Sequence, residues 1–153
     1  MKSQEEKLVD EPNESWYQLL KVTREQLSQQ ISQTQLQQIS PTALAYLGDV
    51  VYELYVRTFY ILPPQRPETY HRLVVTQVRA ETQAMYLEKL SPYLFDTELE
   101  IVRRGRNAAT GRPKRVDPKT YQQATSLETL IGYLYLTDLG RLTELLQKLD
   151  LEK

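Results

Sequence analysis

No cysteine occurs anywhere in the 153 residues, and histidine occurs once, as His71. The first absence excludes disulfide frameworks, zinc fingers, iron–sulfur clusters and thiol nucleophiles together. The second removes the multi-histidine zinc sites, the HExxH helix included. Long apolar runs are missing too: the richest, Leu130–Leu136, falls far short of the roughly 20 residues that span a bilayer. Residues Met1 to Glu6 lack the apolar core of a secretory signal. Nor is there an excess of one charge, with 19 basic against 20 acidic residues, so the net figure selects no partner. What remains is 41% apolar and 25% charged, the balance of a globular chain. A chain of this length is one domain's worth and buries about two thirds of the surface its unfolded form exposes. These absences point to a cytoplasmic protein without a membrane partner, whose chemistry rests on oxygen ligands.

Punctuation divides the chain. Residues 1–38 form a polar arm, with seven glutamines among the thirteen residues from Gln26 to Gln38. Loosely helical spacing of Trp16, Leu19, Leu27, Ile31 and Leu36 makes the arm partly helical. Ser40-Pro41 then has the form of an N-cap followed by proline at the first helical position. The spacing of Leu44, Leu47, Val51, Leu54 and Thr58 predicts a helix to about Tyr60. Beyond the prolines at 63, 64 and 67, a second helical region covers Glu68–Leu90, with Leu73, Val74, Val78, Met85, Leu87 and Leu90 as its core. Thr97 and Glu100 have capping-box spacing for a short helix through Val102. A basic, glycine-containing loop follows. Asp117-Pro118 opens the next segment, and the last two helices cover about Thr125–Leu136 and Leu139–Leu149. Nothing alternates with period two, so residues 39–153 are read as one all-α domain.

Three constellations could carry chemistry. Gly48-Asp49 lies inside the first strong helix, where glycine costs about 1 kcal/mol and aspartate about 0.7 kcal/mol relative to alanine. The sequence accepts that penalty to set a carboxylate among Ala45, Tyr46, Val50 and Tyr52. An exposed aspartate sharing its face with Glu53 is the plainer alternative. Glu128 sits among Leu127, Leu130 and Ile131, where an unpaired carboxylate is costly to bury. Two acids on two apolar helices can share a hard divalent cation such as Mg²⁺. Gly48 and Gly132 would let those two helices approach closely. The third element is the run from Arg103 to Arg115, with six basic residues and no acid. Its glycines do not have the spacing of a phosphate-binding P-loop. Its cations, Arg103, Arg104, Arg106, Arg112, Lys114 and Arg115, together with Asn107 as a neutral donor, suit phosphate contacts and point to nucleic acid. His71 is a water or proton handle at most. The eleven tyrosines are read as packing residues.

Taken together, ALAYLGDVVYEL (Ala43–Leu54), RRGRNA (Arg103–Ala108) and SLETLIGYLYL (Ser126–Leu136) resemble the catalytic domain of the ribonuclease III family, in its short Mini form without a double-stranded RNA-binding domain. The resemblance runs from about Ile39 to Leu149. It implies a helical endonuclease domain that cleaves double-stranded RNA with Mg²⁺, with Mn²⁺ as a substitute, and works as a homodimer. It implies 5′-phosphate and 3′-hydroxyl ends, and a role in maturing the 23S ribosomal RNA precursor, with a ribosomal protein as a conceivable cofactor. A plastid stroma would be the location in a plant or alga. By position, Asp49 and Glu128 would be the catalytic metal ligands, the basic run would contact RNA, and Asp117 is a weaker acidic candidate. The longer members carry further carboxylates where this chain has Ala45 and Thr125, so the metal would keep more of its water shell, or take Thr125 Oγ1 or a backbone oxygen in place of an acid. A non-catalytic RNA-binding or ribosome-associated protein on the same fold is the alternative. A helical module whose basic run binds an acidic protein is a second one.

Overall fold

A computed structural model of the chain describes residues 21–22, 24–27, 30–109 and 115–151. Every regular element among them is helical. The chain divides into two compact units, Met1–Gln38 and Ile39–Lys153. In the first, helix α1 (Gln33–Gln38) buries none of its residues. It opens on a reciprocal cap: Gln35 N donates to Ser32 Oγ at 3.1 Å, and Ser32 N donates to Gln35 Oε1 at 2.9 Å.

The second unit begins as its punctuation requires. Ser40 Oγ accepts from Ala43 N at 3.0 Å and caps α2 (Pro41–Tyr60), with proline in the first turn. Its buried face is Leu44, Ala45, Gly48, Tyr52, Val56 and Tyr60, which differs from the stripe read from sequence. Leu54 and Thr58 are exposed, because the glycine face rather than the leucine face turns inward. The expected single helix over 68–90 is two: α3 (Pro67–Val78) and α4 (Ala80–Leu90). Arg79 between them is extended, at φ −67° and ψ 153°. Neither glycine nor proline marks this break. Buried side chains hold it instead, by donating to the carbonyls that the end of α3 leaves open. Thr82 Oγ1 donates to Thr76 O at 2.6 Å, Tyr52 OH to Gln77 O at 2.7 Å, and Gln83 Nε2 to Val78 O at 2.8 Å. The break also rotates the face of α4, so Tyr86 is buried and Met85 is exposed.

A 3₁₀ turn at Ser91–Tyr93 leads to α5 (Asp96–Ala108). Its cap comes from Glu98, whose Oε1 accepts from Phe95 N at 2.9 Å, and not from the Thr97/Glu100 pair. Glu100 instead holds Arg103 at 2.6 Å. Helix α6 (Pro118–Thr137) runs unbroken through what the sequence suggested were two segments, and α7 (Leu139–Gln147) closes the domain. Helix α6 is the hub and packs against α2, α4, α5 and α7. Leu127, Leu130 and Leu134 anchor it in a core shared with Tyr52, Val56 and Leu145. No helix among the described residues is long and apolar enough to cross a membrane.

Candidate active site

The close approach of α2 and α6 creates the site. A Cβ on Gly48 would fall inside the Glu128 backbone carbonyl, and one on Gly132 would fall inside that of Leu44. Both helices therefore need glycine at the crossing, and the contact is backbone against backbone. Asp49 follows Gly48 on α2, and Glu128 lies one turn before Gly132 on α6. The crossing brings their carboxylates into electrostatic contact across an open cleft of about 370 Å³. Ala45, Tyr46, Val78, Gln83, Ala108, Tyr121 and Thr125 are among the residues that complete its wall.

Charge at the cleft is unbalanced. Burial pushes the Glu128 carboxyl up to about 7, the Asp49 charge adds to the rise, and a hydrogen bond from the Gln83 amide opposes it. Asp49 is raised as well, by burial first and by Glu53 second. Glu53 is itself engaged by Arg57 at 2.7 Å. Among the described residues, no cation answers the Asp49–Glu128 pair in the interactions that set their acidity. A carboxylate pair held this way could take an external cation. Two carboxylates plus water suffice for Mg²⁺, which keeps much of its hydration shell. The buried Oε1 of Gln83 lies in the same wall without a partner among the described residues. The donor set is all oxygen, so these residues fit a hard divalent ion. A third acidic or imidazole group does not join them among the described residues.

The remaining candidates from sequence separate. Thr125 and Ala45 line the cleft, at the two positions where longer relatives were expected to carry acids. Asp117 caps α6, its Oδ2 accepting from Thr120 N at 3.2 Å, and is not among the cleft residues. His71 is exposed on α3 and is likewise not among them. The basic run is only partly a loop. Arg103, Arg104, Arg106 and Asn107 belong to the last turns of α5, and Gly105 is a packing residue whose Cβ would meet Thr129 Oγ1 at 2.6 Å. Arg103 and Arg106 rim a second hollow with Gln123, away from the cleft wall. Arg115 is exposed, while Arg112 and Lys114 lie outside the described residues. Ala108, Ala109 and Val116 all line the cleft, so the basic segment leaves from its wall and returns to it.

Sequence reading passed over Gln83, Tyr46 and Tyr121. Gln83 carried a faint signal: with Leu87 and Leu90 it sits at four- and three-residue spacing on the stripe that faces the core.

A family model for the Ribonuclease III domain matches residues 42–139. The chain is 59% identical over 116 residues to Mini-ribonuclease 3 of Synechocystis sp., a match covering 76% of this chain and 81% of that one. It is 55% identical over 112 residues to Mini-ribonuclease 3 of Thermosynechococcus vestitus, covering 73% and 74%. The crystal structure of a Fusobacterium nucleatum protein superposes with a TM-score of 0.67 at 28% identity, over 71% of this chain and 89% of that one.

Proposed function

This chain belongs to the ribonuclease III family, in its Mini-ribonuclease 3 group, and from that membership and the cleft we propose that it is an endoribonuclease cutting double-stranded RNA at Asp49 and Glu128. The observation that carries the proposal is the pair itself: two carboxylates that repel each other at a helix crossing, with no cation set against them among the described residues. Asp49 and Glu128 would hold Mg²⁺, or Mn²⁺ in its place, with Thr125 Oγ1 in reach of its water shell. When bound, the ion supplies charge stabilisation at the phosphoryl oxygens and an acidified water.

The protein's own groups set the conditions. With its carboxyl pushed up to about 7, Glu128 is only partly ionised near neutrality, so ion binding there would release protons, more of them below pH 7. Ala45, in place of a longer acid, keeps the cleft open beside Asp49. Hydrolysis adds water to phosphorus and breaks the bond to the 3′ oxygen, leaving a 5′ phosphate and a 3′ hydroxyl. Arg103, Arg104, Arg106, Asn107, Arg112, Lys114 and Arg115 would contact the RNA backbone. A-form RNA offers shape, phosphates and 2′ hydroxyls rather than readable base edges, so binding should weaken steeply with salt.

The reading includes a homodimer. Tyr46, Val50 and Leu54 repeat every four residues on α2 and are 75%, 64% and 46% exposed. An apolar stripe on the helix that carries Asp49 supports a two-fold contact that sets two sites on one duplex, one per strand. A 23S ribosomal RNA precursor is the substrate proposed, in the cytoplasm or a plastid stroma, with a ribosomal protein as cofactor.

The test is cleavage of a purified duplex RNA by wild type and Asp49→Asn, with and without Mg²⁺. Mg²⁺-dependent cuts that vanish in a folded, dimeric variant are the expected result. A wild type that binds duplex and never cuts it would leave the non-catalytic RNA-binding reading in place.

A further inference from the structure

Three carbonyls at the end of α3 are capped by side chains, and one of the caps is unlike the others. Thr82 and Tyr52 use hydroxyls, each of which donates once. Gln83 uses an amide, whose Nε2 donates to Val78 O at 2.8 Å. Gln83 is only 2% exposed, and its Oε1 has no partner among the described residues. Stranding a buried acceptor opposes folding unless something else is gained. Turning the amide over would not help, since Oε1 would then face the Val78 carbonyl, acceptor against acceptor. Capping alone does not account for glutamine here. What an amide has and a hydroxyl lacks is a second donor on the same nitrogen. Gln83 and Glu128 share the cleft wall, and a hydrogen bond from the Gln83 amide is among the influences on the Glu128 carboxyl, for which the second N–H is the donor that remains.

We propose that Gln83 is the positioning residue for Glu128: Val78 O fixes its Nε2, and the second N–H holds the Glu128 carboxylate facing Asp49 across the cleft. The inference rests on the metal-ligand reading of Glu128 given above. It assigns to α4 a part in a site otherwise built from α2 and α6. It also gives the break at Arg79 a purpose, because a continuous helix from Glu68 to Leu90 would carry Gln83 elsewhere. Partners that orient metal ligands typically contribute 10–100-fold in ion affinity.

The experiment is Mn²⁺ binding by calorimetry to the full chain without RNA, for wild type and Gln83→Leu, with circular dichroism to verify the fold. Binding weakened 10–100-fold in Gln83→Leu is expected. In cleavage assays the same variant should need correspondingly more Mg²⁺ and recover most of its kcat at saturation, a split that loosened packing alone would not produce. As a readout free of substitution at position 83, the Gln83 side-chain amide resonance of wild type should shift with Mg²⁺, at the midpoint of ion binding. Unchanged Mn²⁺ affinity in Gln83→Leu overturns the inference and leaves the metal site standing. If that variant does not fold, an amide resonance that ignores Mg²⁺ overturns it alone. A wild type that binds neither ion removes the metal reading, and this inference with it.

Discussion

Two glutamates withdraw from water in this domain, and they have opposite fates. Glu98 on α5 is 4% exposed at its side chain and faces Arg141, itself 9% exposed, at 2.9 Å. Burial alone would raise its carboxyl, but hydrogen bonds from Arg141 and Phe95 N and the guanidinium charge outweigh it, leaving Glu98 below the usual carboxylate range. Glu128 on α6 is pushed the other way, to about 7, because burial is joined by the Asp49 charge. The same side chain is thus a structural tie in one place and, on the proposed reading, a metal ligand in another. The difference lies in whether the fold supplies a cation. Arg141 also donates to Tyr93 O at 2.6 Å and stacks over the Phe95 ring at 4.1 Å, closing the corner between α5 and α7. Around Glu128 the described residues supply a second carboxylate and no cation.

Breaking the tie should have the largest effect. Glu98→Ala removes the closest counter-charge of Arg141, leaving it Glu144 at 3.3 Å and Tyr93 O, and should cost about 3 kcal/mol of stability, measured by urea denaturation. At Glu128 the sign reverses. Its folded pKa lies above the unfolded value of 4.5, so its contribution is fully present below about pH 4.5 and lost as pH rises to about 7. Without divalent ions, wild type should weaken across that window by on the order of 3 kcal/mol. Glu128→Gln should flatten the slope and be the more stable protein at pH 8, while losing cleavage. Gly48→Ala attacks the crossing that presses the carboxylates together, and overpacking there should cost about 1–3 kcal/mol or more, with activity falling further than stability. The smallest change is expected at the exposed Glu100–Arg103 pair. Glu100→Ala should leave stability nearly unchanged and tighten duplex RNA binding by freeing a cation, as read by a salt titration.

Legibility in the sequence followed how local each cause is. Asp49 stood out because Gly-Asp is a poor choice inside a helix, and the Gly48–Gly132 crossing was readable from two glycines in otherwise strong helices. Glu128 stood out among leucines. Glu98 did not, because its meaning depends on Arg141, 43 residues further on. The break at Arg79 was invisible for a related reason: its carbonyls are satisfied by Tyr52, Thr82 and Gln83 rather than by a local glycine or proline. The register of α2 misled because two apolar faces compete on it. The leucine-spaced face looked like the core, and the Ala45–Gly48–Tyr52 face won through backbone contact with α6. Helical periodicity likewise divided the basic run, which in sequence reads as a single patch.

The most direct test of the central claim, that Asp49 and Glu128 are a carboxylate pair awaiting an external cation, is thermal denaturation at pH 8 with and without Mg²⁺, for wild type and Glu128→Gln. An ion that binds only the folded state stabilises it by RT ln(1 + [L]/Kd), or about 2.7 kcal/mol at a hundredfold excess over Kd. Wild type should therefore melt several degrees higher with Mg²⁺, and Glu128→Gln should not respond. Equal shifts in the two proteins, or none in wild type at Mg²⁺ concentrations that support cleavage, would contradict it.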